Sequence, residues 1–213
     1  MLLAIDFDGT LTDRDTLDLI CQTWAPDAWR EAEEGLTSGR WTLEQVIEHE
    51  FAAVAATREE VLALVHERVA LRPGLPALLE TCVTRFVEPI VVSSGFTTLI
   101  EPVLLDHGID LPIVAHDAVF TPEGATVTFR AREDCGSCGE RCKRDEVVRR
   151  AHGRTLAYVG DGWTDRCAAL AADLVFARAG LARYLDDEGV RYLPCEDFDD
   201  VREGLVAYLD GRA

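Results

Sequence analysis

Four short stretches carry residue types from which phosphoryl chemistry can be built. In DFDGTLTD, Asp6 and Asp8 stand two apart at the end of an apolar run, so on an extended strand both carboxylates face one side. Carboxylates that close repel each other, so one holds a proton or both share a cation. Gly9 permits a tight turn, and Thr10 with the local amides can line an anion pocket. In VVSSGF, Ser93, Ser94 and Gly95 put hydroxyls and free amides ahead of a helix start, where a phosphate can sit. Lys143 opens a helix among acids. In YVGDGWTD, Asp161 and Asp165 follow another strand, and glycine-flanked acids suit a hard cation that takes oxygen ligands. Taken singly, each stretch also has a plainer reading as a strand end, an N-cap, a solvated lysine or a capped loop.

The elements around these stretches give them a common place. Leu2 to Ile5 reads as a buried strand. Residues 15 to 70 change character. Their apolar positions recur with helical period (Leu17, Ile20, Cys21, Trp24; Leu43, Val46, Ile47, Phe51; Val61, Leu64, Val65), which predicts a helical insert closed by Arg72-Pro73-Gly74. Strands and helices then alternate. The spacing predicts strands at 89–93, 111–115, 156–159, 174–176 and 190–193. Helices are predicted at 75–85, 96–107 (kinked by Pro102), 143–151, 163–171 and 197–209, with a hairpin over 117–130. Such alternation implies an α/β fold with a doubly wound parallel sheet. In sheets of this kind, ligands bind beyond the carboxyl ends of the strands, where three of the four stretches fall.

Net charge is −18 over 213 residues, from 39 acids against 21 basic residues. Such a surface repels nucleic acid, which excludes a general nucleic-acid role, and it repels phosphate esters unless strong local cations intervene. No apolar run approaches the roughly 20 residues of a membrane span. The N-terminal MLLAIDFDG lacks the basic start of a signal peptide and ends in carboxylates, so a cytoplasmic protein without membrane partners is expected, as monomer or homodimer.

The order DxDGT, strand-Ser, Lys, GDGxxD resembles the haloacid dehalogenase superfamily over essentially the whole chain, including a helical insert of the C1-cap type between the first two motifs. The resemblance implies a Rossmann-like catalytic core at 1–13 and 72–213 and a cap at 14–71. It implies a phosphatase for a small-molecule phosphate ester, with Asp6 as nucleophile and Asp8 as general acid and base. It further implies Mg²⁺ held by Asp6, the Asp8 carbonyl and Asp161, with Asp165 binding the metal or orienting its shell. Thr10, Ser93, Ser94 and Gly95 would hold the phosphoryl group, and Lys143 would neutralise its charge. Because Asp8 is an acid, the dehalogenase and phosphonate-hydrolase branches are set aside.

Within the superfamily the chain is similar to the phosphoserine-phosphatase-like branch. CGSCGERCK and the run from GWTDRC to YLPCEDFDDV are most like methionine-salvage enolphosphate phosphatases. In the cap, GRWTLEQVIEHEF resembles the helix that bears a carboxylate-reading Arg in phosphoserine phosphatases, and Glu50 stands at that place. A Glu there disfavours phosphoserine. With Asp15 it suits an amine or quaternary ammonium, as in phosphoethanolamine or phosphocholine, while Trp41 and Trp163 offer an apolar or stacking wall. A phosphoryl-transferring mutase would use the same aspartates. Of seven cysteines, Cys21, Cys82, Cys167 and Cys195 read as small core residues. The clustered Cys135, Cys138 and Cys142 read as a structural Zn²⁺ site, a redox-labile disulfide or free thiols; as a zinc site they lack a fourth ligand, for which His116 and His152 are the candidates.

Overall fold

The computed structural model describes residues 1–130, 134–140 and 142–212. Its centre is a seven-stranded sheet of order β4-β3-β2-β1-β5-β6-β7. The strands are β1 (Leu2–Ile5), β2 (Glu88–Phe96), β3 (Ile113–Thr121), β4 (Gly124–Thr128), β5 (Leu156–Gly160), β6 (Leu174–Ala177) and β7 (Leu193–Pro194). All neighbours run parallel except β3 and β4, which form an antiparallel hairpin at one edge. The chain leaves β1 toward β2, β3 and β4, then returns to the other side of β1 with β5. The order therefore reverses at β1, the switch point where open α/β sheets open a ligand crevice.

β1 is buried on both faces, as its unbroken apolar run requires of a central parallel strand. Its alternate residues feed two cores. Leu3 and Ile5 pack with Val91, Val159, Phe176 and the helices α5 (Leu75–Thr84), α6 (Thr97–Asp106) and α10 (Phe198–Leu209). Leu2 and Ala4 pack on the opposite face with Ile90, Val92, Tyr158 and helices α7 (Arg144–Ala151), α8 (Arg166–Ala169) and α9 (Ala179–Asp187). The sheet is thus covered on both sides.

The insert holds four helices: α1 (Thr16–Trp24), α2 (Pro26–Thr37), α3 (Leu43–Ala52) and α4 (Arg58–Arg68). Capping boxes at Thr42/Gln45 and Thr57/Glu60 fix the starts of α3 and α4. The two chain crossings into the insert are stitched together: Thr12 bridges Leu71, and the Asp13 amide donates to Ala70 O at 2.9 Å. Farther on, α3 is held to the sheet by an edge-to-face aromatic cluster, Phe51 against Phe96 (4.7 Å) and Phe120 (6.2 Å). The β3–β4 turn docks on the end of α3, and Gly124, at φ 142°, leaves no room there for a Cβ, which would fall 2.3 Å from Ala52 O.

Several sequence expectations are modified. The strand at 111–115 and the first arm of the hairpin are one strand, β3. The helix at 163–171 starts as a single 3₁₀ turn (Trp163–Asp165), and the α-helix begins only after Asp165. Helices α2 and α9 have no counterpart in the apolar-stripe reading; both are strongly amphipathic but carry few buried positions, so a stripe search passes over them. Among the described residues, no helix is long and apolar enough to cross a membrane.

Candidate active site

Registry places the four stretches at one edge. Ile5 is level with Val91 on one side and with Val159 on the other, so Asp6 emerges between the exits of β2 and β5. Beyond Asp6 the chain makes a wide helical turn, Phe7–Leu11, that needs Gly9 at φ 75°. A Cβ at Gly9 would also lie 2.6 Å from an Asp161 carboxylate oxygen, so the turn presses directly on the second acidic loop. Arg178 and Arg72 brace it by donating to Gly9 O at 2.8 and 3.2 Å.

Asp6, Asp161 and Asp165 bring one carboxylate oxygen each to within 4.8 Å of one another. The Lys143 ammonium donates to Asp6 and, at 2.8 Å, to Asp165. It is 1% exposed, the only lysine in the chain, and walled in by acids. Burial alone would lower its pKa; Asp165 and Asp6 outweigh that and raise it, so it stays charged. Asp6 is pushed well above the usual carboxylate range by burial, then by Asp165, against the pull of Lys143. Asp161 is raised by the same two causes, burial and Asp165. One lysine does not balance three carboxylates, two of them buried and one half-buried.

Asp165 is saturated. Its Oδ1 accepts from Lys143 and, at 2.6 Å, from the Tyr158 hydroxyl. Its Oδ2 accepts the amides of Asp161 (3.0 Å) and Gly162 (2.9 Å). A carboxylate offers about four such sites, so Asp165 organises the loop and the lysine rather than facing the cleft. Asp8 is held on both oxygens: Thr16 donates its amide (3.0 Å) and its hydroxyl to Oδ1, and Ser93 donates to Oδ2 at 3.2 Å. Burial raises its pKa, while the Thr16 hydrogen bonds oppose that.

Two expected phosphate ligands are otherwise engaged. The Ser93 hydroxyl is fully buried, shared between Asp8 and the Gly95 amide (2.7 Å), and Thr10 donates to Asp161 at 3.0 Å. Ser94 and Gly95 do line the cleft, a cavity of about 220 Å³ between core and insert. Of the residues expected at the substrate wall, Asp15, Glu50 and Trp163 line it as well; Trp163 is 64% exposed, with Arg166 stacked 3.7 Å from its ring centre. Trp41 does not line it: it packs on Gly35 and His49 inside the insert. Glu50 is buried, and burial together with Asp18 and Glu33 pushes its pKa to about 8. Its proton is thus held more tightly than that of an ordinary glutamate, and Asp18 and Glu33 line the same cleft.

Sequence reasoning misses Thr16, Tyr158, Arg72 and Arg178, which touch the catalytic groups or the turn between them. Thr16 had a visible signal in the helix-cap string DTLD, and Tyr158 in its place two residues before GDG. The two arginines carry no local signal, because their partner is a backbone carbonyl.

Fold and sequence together mark a hydrolase, and the chain belongs to the haloacid dehalogenase-like hydrolase family, whose model matches residues 3–170. It is 28% identical to a 2-hydroxy-3-keto-5-methylthiopentenyl-1-phosphate phosphatase of Exiguobacterium sp., covering 97% of this chain and 95% of the relative. An enzyme of the same name from Brevibacillus brevis is 26% identical, covering 94% of this chain and 93% of the relative. A solved phosphoserine phosphatase, captured as an analogue of its phospho-aspartyl intermediate, superposes with TM-score 0.71 at 21% identity over 96% of both chains.

Proposed function

We propose that the protein is a phosphatase that hydrolyses a small-molecule phosphate ester through a phosphoryl group carried on Asp6. The observation that carries this reading is the convergence of Asp6, Asp8, Lys143 and Asp161 on one cleft at the switch point of the sheet. Asp6 attacks phosphorus, and the bond to the ester oxygen breaks. Asp8, whose raised pKa suits it to hold a proton, gives that proton to the leaving oxygen. Asp8 then takes a proton from water, which attacks the aspartyl-phosphate and frees phosphate and Asp6. Lys143 keeps positive charge beside Asp6 throughout. Ser94 and Gly95 line the cleft where the phosphoryl group would sit. Ser93 and Thr16 hold Asp8 in place, while Thr10 and Asp165 hold the metal loop.

The residues fit Mg²⁺. An all-oxygen set of acids, more than one lysine can neutralise, is the donor chemistry of a hard divalent cation. Asp6, Asp161 and the Asp8 carbonyl would hold it, with Asp165 orienting Asp161. Bound there, Mg²⁺ supplies positive charge to the transferring group and lowers the repulsion that the net charge sets against any phosphate ester.

For the substrate, the methionine-salvage enolphosphate is favoured by two supports. The full-length relatives bear that name, and Leu17, Leu36, Leu43, Val46 and Ile47 give the cleft an apolar wall for an uncharged thioether chain. A second reading rests on the acids Asp15, Asp18, Glu33 and Glu50 on the same wall, which suit phosphoethanolamine or phosphocholine. A core at 1–13 and 72–213 with a cap at 14–71 is the matching domain division. The deciding experiment is phosphate release, with Mg²⁺ and with excess chelator, from the enolphosphate, phosphoethanolamine, phosphocholine and phosphoserine. No release from any of them, or full activity in chelator without bound metal, would overturn the reading. Transfer of the phosphoryl group back to substrate without free phosphate would mark a mutase instead.

A further inference from the structure

We propose that Cys135, Cys138, Cys142 and Cys167 form a structural zinc site that ties the Lys143 segment to the Asp161–Asp165 loop. The three clustered cysteines lack a fourth ligand in sequence, and the fold supplies one from a distance: the sulfurs of all four lie within 4.8 Å of one another. Neither His116 nor His152 belongs to the group; His116 Nδ1 instead accepts the Arg130 amide at 3.0 Å. Four sulfurs around tetrahedral Zn²⁺, each bonded at about 2.3 Å, stand roughly 3.8 Å apart. The cluster closes on an ion by sulfur movements of about 1 Å or less, within reach of rotamer adjustment.

The local backbone is shaped for thiolates. Cys135 to Glu140 is a tight knuckle, with the Gly139 amide on Cys135 O at 2.8 Å and the Cys135 amide on Glu140 O at 2.9 Å. That turn aims the Ser137 amide at Cys135 Sγ (3.4 Å), and the Cys138 amide points there too. A further amide, from Arg144, reaches Cys142. These N–H groups stabilise negative sulfur, as second-shell donors do around a metal. Four thiolates around one Zn²⁺ leave a charge of about −2, spread over sulfurs that receive these amides. All seven cysteines of the chain are free thiols, so no disulfide competes for the ligands.

The placement gives the site a purpose. Cys142 precedes Lys143 directly, and Cys167 lies two residues past Asp165. Lys143 and Asp165 face each other at 2.8 Å across two segments far apart in the chain. A tetrathiolate ion joins those segments on the outer side of the same contact. It thereby fixes the lysine whose position the net charge of the protein makes indispensable.

The test is metal analysis of the full chain purified without added zinc. One Zn²⁺ per chain is expected, released by an organomercurial as four thiols titrate, and X-ray absorption should show four sulfurs at about 2.3 Å. Cys167→Ser should lose the metal, whereas Cys82→Ser, outside the cluster, should keep it. An absorption spectrum of the wild-type protein reconstituted with Co²⁺ should show tetrahedral thiolate bands, a readout that needs no variant to fold. Absence of bound metal with seven freely titrating thiols, a Cys135–Cys138 disulfide in the native protein, or nitrogen and oxygen in the metal shell would each overturn the proposal. None of these results depends on phosphatase activity.

Discussion

Glu50→Gln isolates the electrostatics of the substrate wall. The carboxyl is 6% exposed, with Cys21 Sγ 3.9 Å away and Asp18 and Glu33 as its charged neighbours. Its pKa rises from an ordinary 4.5 to about 8, through burial first and those acids second. The folded state therefore holds this proton more tightly than the unfolded chain. Its contribution to stability is complete below pH 4.5, falls as pH rises through the interval up to about 8, and is constant above it. At ~1.4 kcal/mol per pH unit the interval corresponds to roughly 5 kcal/mol as a ceiling. Water in the open cleft relaxes much of that, so a difference of ~2 kcal/mol is expected. Gln has the same shape and cannot ionise. The variant should match wild type near pH 5 and exceed its melting temperature by roughly 4–8 °C near pH 9, for a chain of this length. Differential scanning calorimetry of both proteins across that range is the measurement. Two melting curves that stay parallel from pH 5 to 9 would refute the buried, neutral carboxyl. The same proton also distinguishes the substrates. A cationic ligand should expel it on binding and an uncharged enolphosphate tail should not, a difference read from the buffer dependence of the binding enthalpy in an Asp6→Asn background.

Asp6→Asn should remove turnover almost completely while circular dichroism stays that of the wild type; more than a few per cent of phosphate release from a folded variant would sink the nucleophile assignment. Lys143→Arg should lower kcat/KM by ~100-fold or more and also lower the melting temperature, because a planar fork cannot replace a compact ammonium in a fully enclosed site. A near-wild-type Lys143→Arg enzyme would show that only the charge matters. Thr16→Val removes the hydroxyl donor that holds the Asp8 pKa down, so the limb of the pH–rate profile that reports protonated Asp8 should move to higher pH. An unmoved limb with reduced kcat would make Thr16 a packing residue only.

The candidate groups are legible because their chemistry is local. DxD on a strand end, a serine after a strand and GDGxxD after another each declare themselves within a few residues, and strand alternation puts them at one edge. What the groups do to one another was not legible. Ser93 reads as a phosphate ligand until the register brings it 3.2 Å from Asp8. Asp165 reads as a metal ligand or as an organiser of the metal's shell, and nothing in the string shows that Lys143, Tyr158 and two amides meet its oxygens. Cys167 reads as a core residue, since nothing in the string around it refers to a loop some 25 residues earlier. Glu50 shows the reverse error: its position was found, but its charge depends on burial and on acids from two other helices. Trp41 packs on Gly35 of α2 inside the insert, a contact that no pattern in the string around it announces.

One compositional fact connects the site to the whole chain. Of 21 basic residues, Lys143 is the only lysine. The other basic residues are arginines, and among the described ones Arg178 braces a carbonyl and Arg154 pairs with the surface acid Glu88. Those tasks reward a broad, permanently charged fork. The place between Asp6 and Asp165 rewards the opposite: three donors on one small atom, wholly enclosed, leaving the rest of the cleft to the substrate. A chain with charge −18 draws phosphate esters poorly, so the cation that receives them must be close, buried and held in place from behind. The acids that surround Lys143 hold it charged, and through it they offset the repulsion that the acidic surface imposes on its own substrate.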